Sequence, residues 1–141
     1  MRFWDSSAVV PLLVREASSE TIEVLYREDY DVTVWWGSEV ECASAITRRE
    51  RSGGLRPDRA KAALDRLRAF AAAWREIDPS AEIRKGAFRG VRAHRLRAGD
   101  AFQLAAALAG AEGDPGSLPF VCLDEDLAVA ADREGFPVIG L

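Results

Sequence analysis

The sequence predicts an α/β fold, with a parallel sheet lying between layers of helices. Short apolar segments rich in β-branched and aromatic residues alternate with longer segments whose apolar residues recur at helical spacing. Two of the short segments close on an acid that leads into a helix, Asp5 after RFW and Asp124 after FVCL. The chain has 141 residues, 48% of them hydrophobic and 30% charged, enough to bury a core without disulfides or a structural metal. The expected organisation is a single domain over residues 1–141.

Residues 2–5 read as a short buried strand. Ser6 or Ser7 can cap the helix that follows, AVVPLLVRE, in which Pro11 is tolerated only near the first turn. A second helix starts near Ser18, with Glu20 and Glu23 where negative charge suits the helix dipole. Residues 31–35, DVTVW, have strand composition. The next helix, from about Ser38 to Ser52, sets Val40, Ala43 and Ile46-Thr47 on one face and stops at Gly53-Gly54. Pro57 opens a long helix through about Trp74, and another follows Pro79 down to Arg97. Residues 100–111 form an almost wholly apolar helix suited to the core. FVCL, counted as the fourth strand, follows a loop; a helix from about Glu125 to Glu134 and the strand PVIGL complete the chain.

Composition excludes several functions. No apolar run approaches the roughly 18 residues that span a membrane, and MRFWDSS lacks the pattern of a signal peptide, so a cytoplasmic location is expected. Cys42 and Cys122 have no CxxC partner and read as small core residues, and the lone His94 reads as a surface or helix-packing residue. The net charge is −4, which rules out a polycation that coats nucleic acid. Seventeen of the 19 basic residues are Arg, several of them clustered, and the guanidinium fork matches phosphate geometry.

Ligands of parallel α/β sheets bind at the carboxyl ends of the strands. Asp5, Glu39, Asp100 and Asp124 all belong to strand ends or helix starts on that rim. Each alone is explained by a helix cap or a first-turn charge. Together they repel: at about 4 Å and an effective dielectric near 20, each pair costs roughly 4 kcal/mol. Such a cluster takes up protons or a cation, and all-oxygen ligation favours Mg²⁺ or Mn²⁺. A phosphatase with an aspartate nucleophile at Asp124-Glu125-Asp126, or a receiver domain, would need a late lysine. Lys61 and Lys85 are the only lysines and both precede the motif.

At these residues the chain resembles the PIN-domain ribonucleases, and among them the VapC-like toxins of bacterial toxin–antitoxin pairs. The resemblance runs through four segments in order: DSSAVVPLLVRE at 5–16, EVECASAITRR at 39–49, LRAGDAFQLAAAL at 96–108 and FVCLDEDLAVAA at 120–131. It implies a PIN-like three-layer α/β/α sandwich with a five-stranded parallel sheet. It identifies Glu39, rather than Glu41, as the second acid, and Asp5, Asp100 and Asp124 as metal ligands. Ser7 becomes a small polar neighbour of the site and Asp126 a candidate for a second ion. It also implies metal-dependent cleavage of RNA, a cognate antitoxin and a homodimer. A catalytically silent PIN module that binds RNA or a protein, and a DNA-directed nuclease of the same fold, are the rival readings.

Arg48, Arg49, Arg95 and Arg97 are candidates for holding flanking phosphates. Two features depart from the family pattern. Cys122 stands where Thr or Ser is common, removing a hydrogen bond near the acids. Trp35-Trp36-Gly37 replaces a small polar lead-in, and a tryptophan there either stacks an RNA base or packs in the core. An apolar groove for the antitoxin is expected around Leu12, Leu13, Val24 and Leu25.

Overall fold

The computed structural model describes residues 1–141. Its elements run β1 (Arg2–Trp4), α1 (Ser6–Leu13), α2 (Ser19–Glu28), β2 (Val32–Trp35), α3 (Ser38–Arg51), α4 (Pro57–Ala71), β3 (Arg75–Ile77), α5 (Ala81–Ala93), α6 (Ala98–Gly110), β4 (Phe120–Val121), α7 (Glu125–Arg133) and β5 (Val138–Ile139). The five strands form one sheet in the order β3-β2-β1-β4-β5, every pair parallel. This is the expected PIN-like α/β/α sandwich.

Alternation along the strands separates two cores. Phe3, Trp35 and Phe120 turn to one side and pack with Leu96 and with residues of α5, α6 and α7. Trp4, Val34 and Val121 turn to the other side, against α1 to α4. The first core is rich in alanine because α5 and α6 lie close together. A Cβ on Gly86 would stand 3.2 Å from that of Ala105, and one on Gly90 would stand 3.4 Å from that of Ala101. Small residues on both helices thus set the height of α6, and with it the position of Asp100.

Three expectations need correction. β3 lies in a stretch not read as a strand: the long helix ends at Ala71, and Arg75–Ile77 add the edge strand. Those residues are exposed or half-buried, so they lack the apolar signal of a central strand. α1 begins at Ser6, which puts Pro11 in its second turn, close to the helix end at Leu13. α3 turns Cys42 and Ile46 inward, both wholly buried, and leaves Val40 at 74% exposure. The apolar stripe of α3 is therefore rotated from the one the sequence suggested. No helix is long and apolar enough to cross a membrane.

Candidate functional site

A cavity of about 730 Å³ opens at the carboxyl ends of β1 and β4, between α1, α3 and the start of α6. Asp5, Glu41, Asp100 and Asp124 line it, joined by Ser6, Ser7, Arg48, Arg49 and Arg97. Three of the four expected acids are there. The fourth is Glu41 in place of Glu39, which lies outside the cavity lining.

The rotation of α3 is the reason. With Ser38, Cys42 and Ile46 buried, residues 41, 44, 45 and 48 fall on one flank of the stripe and Glu39 on the other. Two donors hold Glu41: Ser6 Oγ donates to its Oε2 at 2.9 Å and Gln103 Nε2 at 3.1 Å. Gln103 is wholly buried and also donates to Ser38 Oγ at 3.0 Å, so α3 and α6 are tied together directly behind the carboxylate. The sequence carried one clue to this pairing: a single amide inside an alanine helix demands a partner.

Asp5 is the most enclosed acid, 2% exposed. It caps α1, its Oδ2 accepting from the Ser7 backbone N–H at 3.0 Å and from the Ser7 hydroxyl. The same hydroxyl accepts from Leu123 N–H at 2.9 Å, which ties the end of β4 to the acid. The cap is thus Asp5 itself, with Ser7 bracing it. Burial raises the Asp5 carboxyl to about 6; the Ser7 hydrogen bonds oppose the rise, and the charges of Glu41 and Asp100 add to it.

Asp100, in the first turn of α6, is only partly buried. Burial raises its pKa as well, followed by the charges of Asp124 and Glu41, while Arg97 pulls it down. Asp124 caps α7, its Oδ1 accepting from Leu127 N–H at 2.8 Å. Asp126 adds to the field on Asp100 but lines a neighbouring cavity. Cys122 partly stands in for the expected hydroxyl: its Sγ lies 3.8 Å from Asp5 Oδ2 and 3.3 Å from the Asp124 carbonyl. Burial raises its thiol far above the usual range, so it stays neutral.

The remaining candidates divide. Arg48, Arg49 and Arg97 line the acidic cavity, with Arg49 also paired to Glu16, whereas Arg95 lines the neighbouring cavity. Trp35 is buried and stacks on Phe102 at 5.5 Å with planes 5° apart, while Trp36 is 56% exposed; neither lines the acids. Leu12 and Leu13 border a separate groove with Tyr26, Tyr30 and Phe70. Leu25 packs against the core and Val24 is exposed. His94 packs against α7 through Glu134, with Nε2 2.8 Å from Oε1.

The donor set suits a hard divalent cation: carboxylate oxygens, no histidine or thiolate, and mutual repulsion that a cation would relieve. No three of these side chains stand close enough together to ligate one ion directly. Mg²⁺ accepts such an arrangement, because it keeps several waters and takes one or two carboxylates directly.

The fold has solved counterparts. One chain of FitAB, solved bound to an IR36 DNA fragment, superposes with a TM-score of 0.65 at 16% identity, covering 99% of this chain and 94% of that one. FitAcB from Neisseria gonorrhoeae gives a TM-score of 0.63 at 18% identity, covering 98% and 96%. No protein-family model and no curated protein matches the sequence.

Proposed function

We propose that this chain is a VapC-like PIN-domain toxin, a divalent-metal-dependent endoribonuclease restrained by an antitoxin. One observation carries the chemistry: Asp5, Glu41, Asp100 and Asp124 face a single cavity whose walls bear Arg48, Arg49 and Arg97. Acids alone would repel a polyanion. Arginines beside them let a phosphodiester approach, and a strongly repelling set of carboxylates is what a cation site requires.

Asp5, Glu41, Asp100 and Asp124 would hold Mg²⁺ or Mn²⁺. When bound, such an ion polarises the phosphodiester and the attacking water and carries charge on the leaving oxygen. The protein supplies position. Ser7 clamps Asp5 by two hydrogen bonds, so its carboxylate direction is fixed before any ligand arrives. Ser6 and Gln103 both occupy Glu41 Oε2, which leaves Oε1, beside Gly99, to turn toward a water or a cation. Asp124 spends Oδ1 on its helix cap. Arg48 and Arg97, neither of them engaged by an acid in a salt bridge, are placed to steer the strand's phosphates.

The likeness to the FitAB and FitAcB chains supports a protein antitoxin as partner. The groove beside Leu12 and Leu13, walled by Tyr26, Tyr30 and Phe70, is the surface we assign to it. Homodimerisation and a cytoplasmic location belong to the same proposal.

The test is cleavage of single-stranded RNA and of DNA of the same sequence, with Mg²⁺, Mn²⁺ or chelator. RNA cut only with metal, and lost in Asp100→Asn, is the expected result. Intact RNA in every condition, with no metal-induced rise in melting temperature, would leave the silent binding module; cleavage of DNA alone would make the chain a DNA nuclease.

A further inference from the structure

Beside the acidic cavity lies a second one, of about 370 Å³, formed by His94, Arg95, Asp126, Val129, Ala130 and Arg133. We infer that Arg95 and Arg133 seat an internucleotide phosphate of the strand whose scissile phosphate occupies the acidic cavity. This rests on the ribonuclease reading and extends its substrate site past Asp126.

Four observations carry it. First, the two cavities are lined by near neighbours in the chain: Arg97 and Asp124 line the acidic one, and Arg95 and Asp126, each two residues away, line the second. Second, neither Arg95 nor Arg133 takes part in a salt bridge, although an acid stands close by. Glu134 receives Arg89 at 2.6 Å and His94 at 2.8 Å, so that neighbouring carboxylate is already satisfied. Third, Arg95 has φ 56°, a left-handed backbone that a long L side chain adopts rarely and at a cost. That turn comes directly after α5, and His94 beside it, bonded to Glu134, lines the same cavity. Fourth, from Ile83 to Gly99 the chain has six basic residues and no acid, though the whole protein carries a net charge of −4. Of these, Arg95 lines this cavity and Arg97 the acidic one, so the run of positive charge ends between the two.

The chemistry fits a phosphate better than a base or a metal. Two guanidinium groups give a forked donor set for a phosphodiester oxygen pair. The apolar wall is limited to Val129 and Ala130, and the His94 side chain, 9% exposed, offers little ring face to a nucleobase.

The experiment measures binding of a single-stranded RNA of about eight nucleotides to full-length protein in the Asp100→Asn background, as a function of salt. Arg95→Asn suits the test because asparagine tolerates the left-handed backbone. The Arg95→Asn/Arg133→Gln pair should weaken binding about tenfold at moderate salt. It should also lower the slope of log K against log salt by about 0.7 for each phosphate that is no longer neutralised. Arg68→Gln, on the exposed end of α4, should change neither. With Asp100 restored, the same pair should raise KM for the octanucleotide by a larger factor than for a dinucleotide. Equal affinity and equal salt slope in the pair, with wild-type protein still cutting RNA, would overturn this subsite and spare the ribonuclease reading. Wild-type protein that neither binds nor cuts RNA would overturn both.

Discussion

On one flank of the acidic cavity Asp5 and Glu41 are gripped by the protein: Ser7 holds the first, Ser6 and Gln103 the second. On the other flank Asp100 and Asp124 stand at helix starts, half-buried and held by little beyond a cap. The gripped flank fixes direction at the expense of solvation. The open flank keeps its carboxylates in contact with solvent. A site with both properties combines a preset reference point with a hydrated rim, which suits the proposed Mg²⁺, an ion that sheds water reluctantly.

The largest expected effect is on catalysis. Asp5→Asn and Asp100→Asn should each lower metal-dependent RNA cleavage by about 100-fold or more, judged against the loss of a single electrostatic stabiliser. The two variants should then part company in stability. Asp5 is raised from 3.8 to about 6 by burial. Below about pH 3 the carboxyl is protonated in folded and unfolded chains alike and costs nothing. As pH rises toward 6 the unfolded chain loses its proton first, so the folded state loses stability, by about 3 kcal/mol once both are ionised. Metal-free Asp5→Asn should therefore melt above wild type near pH 8 and match it at about pH 3. Asp100→Asn should gain less, because its carboxyl is less enclosed. Equal gains for the two would remove the distinction between the flanks.

Next in size are the braces. Ser7→Ala strips the hydroxyl that both donates to Asp5 and accepts from Leu123 N–H, leaving the amide without that acceptor and the buried carboxylate with one donor fewer. We expect a loss of about 1–3 kcal/mol in denaturant unfolding. Gly37→Ala should cost about as much, since its Cβ would sit 2.6 Å from Trp35 Nε1. Gln103→Leu should lower cleavage more than stability, because it frees Glu41 from α6 while keeping the helix apolar; a purely structural glutamine would show the reverse.

These flanks were unequally legible in the sequence. Asp5 follows a buried strand directly and Asp124 comes three residues after another, so the strand ends fix their place, and short runs of consecutive buried apolar residues mark both strands. Asp100 opens a helix too apolar to lie anywhere but the core. Glu39 against Glu41 depended instead on the phase of one amphipathic helix. Val40, Ala43 and Ile46-Thr47 made one plausible stripe, and Ser38, Cys42 and Ile46, which the structure buries, made another. Packing against α1 and α4 chose between them, and such information is tertiary. The edge strand β3 escaped for a related reason: exposed residues on a sheet edge carry no apolar pattern, and Arg75–Ile77 is only three residues long. Arg133 went unnoticed because a basic residue in the last turn of a helix already has an ordinary explanation in the dipole.

The central claim is that Glu41 completes the set formed by Asp5, Asp100 and Asp124. The most direct measurement compares Glu41→Gln with Glu39→Gln in Mn²⁺-dependent cleavage of a single-stranded RNA, at equal folded concentration. The structure predicts that Glu41→Gln loses about 100-fold in kcat/KM and that Glu39→Gln stays within about twofold of wild type. Loss in Glu39→Gln with activity retained in Glu41→Gln would contradict it.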